Sequence, residues 1–264
     1  MQDKPTLEDA LALMRDLRAR CEWDREQTHE SLRPYLIEEA HELDDAIRRA
    51  SAEGSSAMRE ELGDVLLQVL FHSVIAEERG EFDARDVAAS LIAKMKRRHP
   101  HLFEGGPREN WEKMKAKSRG SIAEGLPAGL PSLHRAHRLQ DRAAGVGFDW
   151  DDTEGPAQKV IEELEEARTL LREQAARTDA AGAPADAGVQ REIESELGDL
   201  LFAVVNLCRR AGVHPALALD RANDKFVRRF EAVEKLAGER GVIMGEASLA
   251  ELDELWEEIK RLEG

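Results

Sequence analysis

The sequence predicts an all-α protein, a tandem repeat of two helical bundles, and three observations carry the prediction. Glu61-Leu62-Gly63-Asp64 returns as Glu196-Leu197-Gly198-Asp199, each followed by a run of apolar residues. Apolar residues recur at helical spacing, beginning with Leu7, Leu11, Met14 and Leu17. The composition is 42% hydrophobic, 5% aromatic and 35% charged, which suits a soluble, largely helical chain.

A chain of 264 residues holds one large domain or two moderate ones, and the internal repeat argues for two. We assign residues 1–118 to the first, 119–132 to a linker punctuated by glycine and proline, and 133–264 to the second. The opening amphipathic helix runs out near Cys21-Glu22-Trp23-Asp24. Ser31 and Pro34 mark the start of the next, with Tyr35, Leu36, Ala40, Leu43 and Ile47 along one side. Gly54-Ser55-Ser56 ends it and supplies a cap for a helix over 58–79, stopped by Gly80. Gly63 either admits a close neighbour or is a tolerated helix glycine. Val87, Leu91 and Met95 lie on a further helix, broken at His99-Pro100 because proline lacks a backbone donor. His99 and His101 have no third ligand nearby and read as a structural turn.

The second unit repeats the order. Leu133 to Arg142 reads as a helix, and Phe148-Asp149-Trp150-Asp151 parallels Cys21-Glu22-Trp23-Asp24. Helices follow over 160–174, 189–210, 216–230 and 249–262, with Thr178 to Gly188 a mobile insertion between two of them.

The formal charge of -16 gives no support to nucleic-acid or anionic-membrane binding, since both partners are polyanions. Cys21 and Cys208 lie far apart and read as reduced thiols. The amino terminus lacks the pattern of a signal peptide, and the apolar runs are too short to span a bilayer, so the expected location is the cytoplasm.

Chemistry enters with the carboxylates. Positions i and i+3 share a helix face, so Glu61 projects with Asp64 and Glu196 with Asp199. Each pair is preceded by a second acidic helix, with Glu38, Glu39 and Glu42 in the first unit and Glu162, Glu163 and Glu166 in the second. Carboxylates gathered in a bundle repel one another unless protons or cations neutralise them, and oxygen-only ligands favour magnesium or manganese. The repeat also carries Lys94/Arg98 and Lys225/Arg229, then Trp111/Lys115 and Trp256/Lys260. Metal, cationic side chains and a stacking surface together suit a nucleoside triphosphate. Glu38 and His41 form Glu-x-x-His, but a di-iron bundle needs that motif on two helices, and the second unit lacks it. No Walker or Rossmann glycine pattern is present. The competing class is a helical scaffold, without activity, whose acidic faces are merely solvated.

EExxE, a spacer and ExxD, duplicated along the chain with Arg97-Arg98-His99-Pro100-His101-Leu102-Phe103 in the first half, closely resembles the MazG family of nucleoside triphosphate pyrophosphohydrolases. The likeness covers nearly the whole chain. It implies an all-α fold that hydrolyses NTPs and dNTPs to monophosphate and pyrophosphate with Mg²⁺, Mn²⁺ being an alternative. It also implies a broad base preference and a homodimer whose bundle is completed between subunits. By the same resemblance the second unit is catalytic, with metal ligands Glu163, Glu166, Glu196 and Asp199 and Glu162 assisting. Lys225 and Arg229 would contact phosphate, Asn223 the nucleotide, and Trp256 and Lys260 the base and phosphate end. Where the family often has a lysine four residues ahead of the ExxD glutamate, this chain has Glu192 beside Arg191. The first unit keeps Glu39, Glu42, Glu61, Asp64, Lys94, Arg98, Trp111 and Lys115 but has Ile92 where the second has Asn223. It is a second active site, a binding site without turnover, or a dimerisation module.

Overall fold

A computed structural model describes residues 4–103, 105, 120–181 and 187–263. Among these residues there are eleven helices and no strand. The chain divides into two compact units, Met1–Arg108 and Glu109–Gly264.

In the first unit, α1 (Leu7–Arg20) starts at a capping box between Thr6 and Asp9. It is followed by α2 (Glu22–Glu26), α3 (Arg33–Glu53), α4 (Ser56–Glu78), α5 (Ala84–Arg98) and the short α6 (Pro100–Phe103). Helix α4 is central, packing against α1, α3 and α5. Its second half buries Phe71, Val74 and Ile75 against Met14 and Leu32, with Leu11 and Leu17 alongside. Leu7, expected on the same stripe, is exposed. Arg18 is buried below this core, donating to the carbonyls of Gln27 at 2.9 Å and Arg25 at 3.2 Å and pairing with Glu78.

Gly54 ends α3 at φ 89°, a conformation that glycine adopts without steric cost. Ser55 occupies the N-cap position of α4 but its side chain makes no capping bond, contrary to the sequence expectation. A Cβ on Gly63 or Gly198 would meet nothing within 4 Å, so within this chain both are tolerated helix glycines. The apolar side expected on α3 is largely uncovered, with Ile47 52% exposed and Leu36 and Tyr35 near 40%.

The second unit comprises α7 (Ser132–Gly145), α8 (Glu154–Ala181), α9 (Ala187–Arg210), α10 (Pro215–Arg240) and α11 (Leu249–Glu263). Helices α8 and α9 run antiparallel. Gln174 bonds Gln190 at 3.1 Å near one end, while Glu163 approaches Asp199 near the other. Helix α7 packs on α9 and α10, and α11 folds back on α10 around Val233, Ala237, Leu255 and Ile259. Two helices exceed their expected lengths. Helix α8 continues to Ala181 and α9 begins at Ala187, so part of the expected insertion is helical. Helix α10 runs to Arg240 and stops at Gly241, φ 69°, because its last turns pack against α11. Trp111 and Lys115 lie outside the described residues.

Where α7 meets the start of α10, the rings of His134 and His137 stand 5.1 and 4.8 Å from that of His214. Burial first, then the positive neighbours, lower the pKa of His134 and His137; Asp141 opposes this at His137, and Arg138 and His214 reinforce it. With folded values below unfolded ones, the unfolded chain binds protons preferentially, so stability falls as pH drops below the ordinary histidine value of 6.5. Removing one proton site should flatten this slope. His137→Gln is expected to reduce the fall in unfolding midpoint between about pH 7.5 and 5.5, measured by thermal denaturation.

Candidate metal centre

The antiparallel α8/α9 pair carries the acidic motifs toward one another. Glu163 sits on α8, and Glu196 and Asp199 lie one turn apart on α9; carboxylate oxygens of all three come within 4.8 Å of one another. Glu163 is 6% exposed, so its charge is largely withdrawn from water. Burial, followed by repulsion from Glu166, Glu163 and Asp199 and a hydrogen bond that protonated Glu196 donates to Glu166, raises the pKa of Glu196. An oxygen-only set in which Glu196 resists ionising beside its neighbours fits a hard divalent cation.

The first unit builds the same arrangement from α3 and α4. Glu39, Glu61 and Asp64 come within 4.8 Å, and the pKa values of Glu39 and Glu61 rise through burial and mutual repulsion. Glu42 stands to Glu61 as Glu166 stands to Glu196, coupled by charge and hydrogen bond but outside the three-carboxylate set. Glu38 adds charge beside Glu39.

Sequence reading missed Lys159. One turn before the acidic pair, its Nζ lies 2.6 Å from Glu163 and 2.8 Å from Glu162, and these partners raise its pKa. The i,i+3 and i,i+4 spacing was available as a signal. Tyr35 holds the same place ahead of Glu38-Glu39 in the first unit, so no ammonium is supplied there.

Two concavities flank the second centre. One is an open groove of about 520 Å³ lined by Glu162, Glu165, Glu166 and Glu196. The other is an apolar cavity of about 430 Å³ beside Glu163 and Asp199, walled by Phe148, Trp150, Leu139 and Phe202. Polar groups in that wall are Lys159, Gln140, Asn206 and Arg209. The equivalent register in the first unit holds Phe71 and Val74 in place of Asn206 and Arg209, and both are buried in the core.

The loop carrying Phe148 and Trp150 is anchored to α9. Asp149 pairs with Arg209 and, at 3.1 Å, with Arg210. Trp150 then lies against the first turn of α8, where a Cβ on Gly155 would overlap its indole ring. Gly155→Ala should cost about 1–3 kcal/mol in urea unfolding. Most of that loss should disappear in a Trp150→Ala background, which removes the ring the new methyl meets.

The other residues expected at the substrate are placed on α10 and α11. Asn223 and Lys225 are exposed, Arg229 pairs with Glu263, and Lys260 lies 2.6 Å from Glu257. Trp256 rests on Phe226 at 5.4 Å between ring centres and packs against the α10/α11 core. None of these five lines either concavity described above.

Paired acidic helices, duplicated and closed into three-carboxylate clusters, define an all-α protein of two related units, each with a set of oxygen ligands that could hold a cation. The chain belongs to the MazG nucleotide pyrophosphohydrolase family, whose domain it matches twice, over residues 27–103 and 153–234. It is 44% identical to the nucleoside triphosphate pyrophosphohydrolase/pyrophosphatase MazG of Thermotoga maritima, over 96% of this chain and 95% of that protein. It is 40% identical to the nucleoside triphosphate pyrophosphohydrolase of Escherichia coli K12, over 95% and 94% respectively. It also matches YabN of Bacillus subtilis at 41% identity, over 96% of this chain but 51% of YabN. The expected family and all-α tandem fold are thereby borne out.

Proposed function

We propose that this chain hydrolyses nucleoside triphosphates, both ribo and deoxy, to the monophosphate and pyrophosphate, with Mg²⁺ or Mn²⁺ held by Glu163, Glu196 and Asp199. The observation that carries the reading is this carboxylate cluster beside an apolar cavity of about 430 Å³, in a chain of the MazG family. A bound divalent cation supplies Lewis-acid polarisation of phosphate and eases ionisation of an attacking water. Glu166, hydrogen-bonded to Glu196, is suited to take the proton of that water, and Glu162 assists by holding Lys159 in place. Lys159 offsets charge at Glu163 and is positioned to turn toward phosphate oxygens once the carboxylates are otherwise neutralised. Lys225, Arg229 and Lys260 are proposed as further phosphate contacts and Asn223 as a nucleotide contact.

The second unit is the proposed catalytic one. Phe71, Val74 and Tyr35 replace three of the polar groups that line the cavity in the second unit, Asn206, Arg209 and Lys159, which favours a scaffold role for the first despite Glu38, Glu39, Glu42, Glu61 and Asp64. A homodimer is part of the proposal, because apolar side chains on the acidic helices stay uncovered, Leu62, Val69 and Leu201 being about half exposed. Among the described residues no helix is long and apolar enough to cross a membrane. A cytoplasmic location, without nucleic-acid partners, completes the reading.

The deciding measurement is product analysis with mixed NTPs and dNTPs and Mg²⁺. Monophosphate plus pyrophosphate, lost on chelation and restored by Mg²⁺, is the expected result. Diphosphate plus phosphate, or no turnover, would overturn it.

A further inference from the structure

We propose that His134 and His137 on α7 and His214 at the head of α10 form a binding site for a transition-metal ion of the zinc, cobalt and nickel class, built from residues other than the carboxylate clusters. The two α7 histidines are three residues apart and so share a helix face. His214 comes from the other side. It occupies the N-cap position of α10, where its side chain makes no capping bond, and its ring centre stands 5.1 Å from that of His134 and 4.8 Å from that of His137. With Zn–N bonds of about 2.0–2.1 Å and a tetrahedral angle, two imidazoles on one ion have ring centres about 5 Å apart.

The ring nitrogens themselves point to a ligand. Nδ1 of His137 and Nδ1 of His214 are both buried and have no hydrogen-bond partner. Buried polar atoms are ordinarily paired, and two unpaired imidazole nitrogens on neighbouring rings are what a shared ion would satisfy. On the far side of its ring, His137 Nε2 lies 3.7 Å from Asp141 Oδ2. A carboxylate there favours the proton on Nε2 and leaves Nδ1 with the lone pair, the arrangement common behind metal-bound histidines. Asp141 is itself held by Arg138 at 2.8 Å.

The three rings are near one another without being converged. Among the described residues, only the two carboxylate clusters bring three ligand atoms within 4.8 Å of one another. Closing the histidine set therefore takes a change of side-chain rotamer, which half-buried rings on a helix face and at a helix end can make. The surroundings then select the ion. The positive end of α10 and the Arg138 guanidinium oppose a cation held by charge alone, so a hard ion such as Mg²⁺ gains little here. Neutral imidazole suits zinc and its neighbours, which bind it through coordinate bonds, whereas all-oxygen sets suit magnesium. An ion so held ties α7 to the start of α10, two helices that already pack together.

The test is titration of the intact chain with Co²⁺ under saturating Mg²⁺, read by visible absorption and followed by displacement with Zn²⁺. The expected result is the intense visible bands of a tetrahedral, nitrogen-ligated Co²⁺, displaced by Zn²⁺ and untouched by further Mg²⁺. His137→Gln and His214→Gln should each weaken binding more than about tenfold, since loss of a mere outer partner of a ligating histidine already costs about 10–100-fold. Glu196→Gln, which shares no partner with the histidines, should leave the affinity within about twofold. Equal affinity in the wild type and both histidine variants would overturn the site. So would bands abolished by Mg²⁺ or by Glu196→Gln, or no Co²⁺ binding at all. Ring ¹H–¹⁵N spectra of the unaltered chain cover the case of a variant that folds poorly: Zn²⁺ should shift the Nδ1 resonances of His137 and His214, and unmoved resonances would overturn the site. Both readouts are independent of turnover, so their outcome does not depend on the nucleotide reading.

Discussion

Glu196→Gln is expected to lower kcat/KM for nucleoside triphosphates on the order of a hundredfold to a thousandfold, while Glu61→Gln leaves it within about threefold. The two substitutions are chemically identical and fall at equivalent places in the two repeats, so any difference reports on what surrounds them. Around Glu196 stand buried Glu163, the Lys159 ammonium and an open cavity. Around Glu61 stand Glu39 and Asp64, but Phe71 and Val74 belong to a filled core. An amide at Glu196 removes one formal charge from the proposed ligand set and an ionisable partner from Glu166, with almost no change in volume. Neither variant should unfold the chain, since both carboxylates resist ionising where they are and their loss relieves repulsion. Purified variants would be compared by pyrophosphate release at several Mg²⁺ concentrations. Equal partial losses would mean two working centres and would defeat the assignment of catalysis to the second unit.

How much of this was legible beforehand depends on the range of the interaction. Glu196 and Asp199 share a face by helical periodicity alone, and the repeat made their acidic partners visible. The approach of Glu163 to Asp199 needed only the inference that consecutive helices pair. Helix ends were less legible. Helix α10 was expected to end at 230 but runs to Arg240; its Gly238 costs only about 1 kcal/mol, and packing of Val233 and Ala237 on α11 outweighs it. The cavity was not legible at all. It needs α7, the Phe148–Trp150 loop and α9 in one place, and the Asp149–Arg209 pair that fixes them spans 60 residues of chain. Trp150 was visible as a partial repeat of Trp23, but only packing separates a residue lining a cavity from a core residue such as Trp256.

Asp149→Asn should destabilise the second unit by about 2–3 kcal/mol, because it strips the carboxylate from two guanidinium groups at once. Removing one member of a buried ion pair costs about 3–5 kcal/mol, and partial exposure scales this down. Here Arg209 is 10% exposed, Asp149 19% and Arg210 24%, so screening is incomplete. The asparagine can still accept from the Trp150 backbone N–H, as Asp149 Oδ1 does at 3.0 Å, so the loss isolates the charge. Burial works against ionisation of Asp149, but Arg209 first, then Arg210 and the Trp150 N–H, hold its pKa below the usual carboxylate value of 3.8. A depressed folded value makes its contribution fully present above the unfolded pKa and lost as pH falls through the folded one. The gap between wild type and variant, read from urea unfolding, should therefore be constant near neutrality and close only below about pH 4. A variant within about 0.5 kcal/mol of wild type at neutral pH would mean that the two arginines are solvated rather than paired. The functional consequence follows from the same contacts: with Arg209 released, the Asn206 amide loses the donors that orient it, and the loop bearing Trp150 loses its tie to α9. Turnover of nucleoside triphosphates should then fall further than the loss of stability explains, because the cavity beside Glu163 and Asp199 loses one of its walls.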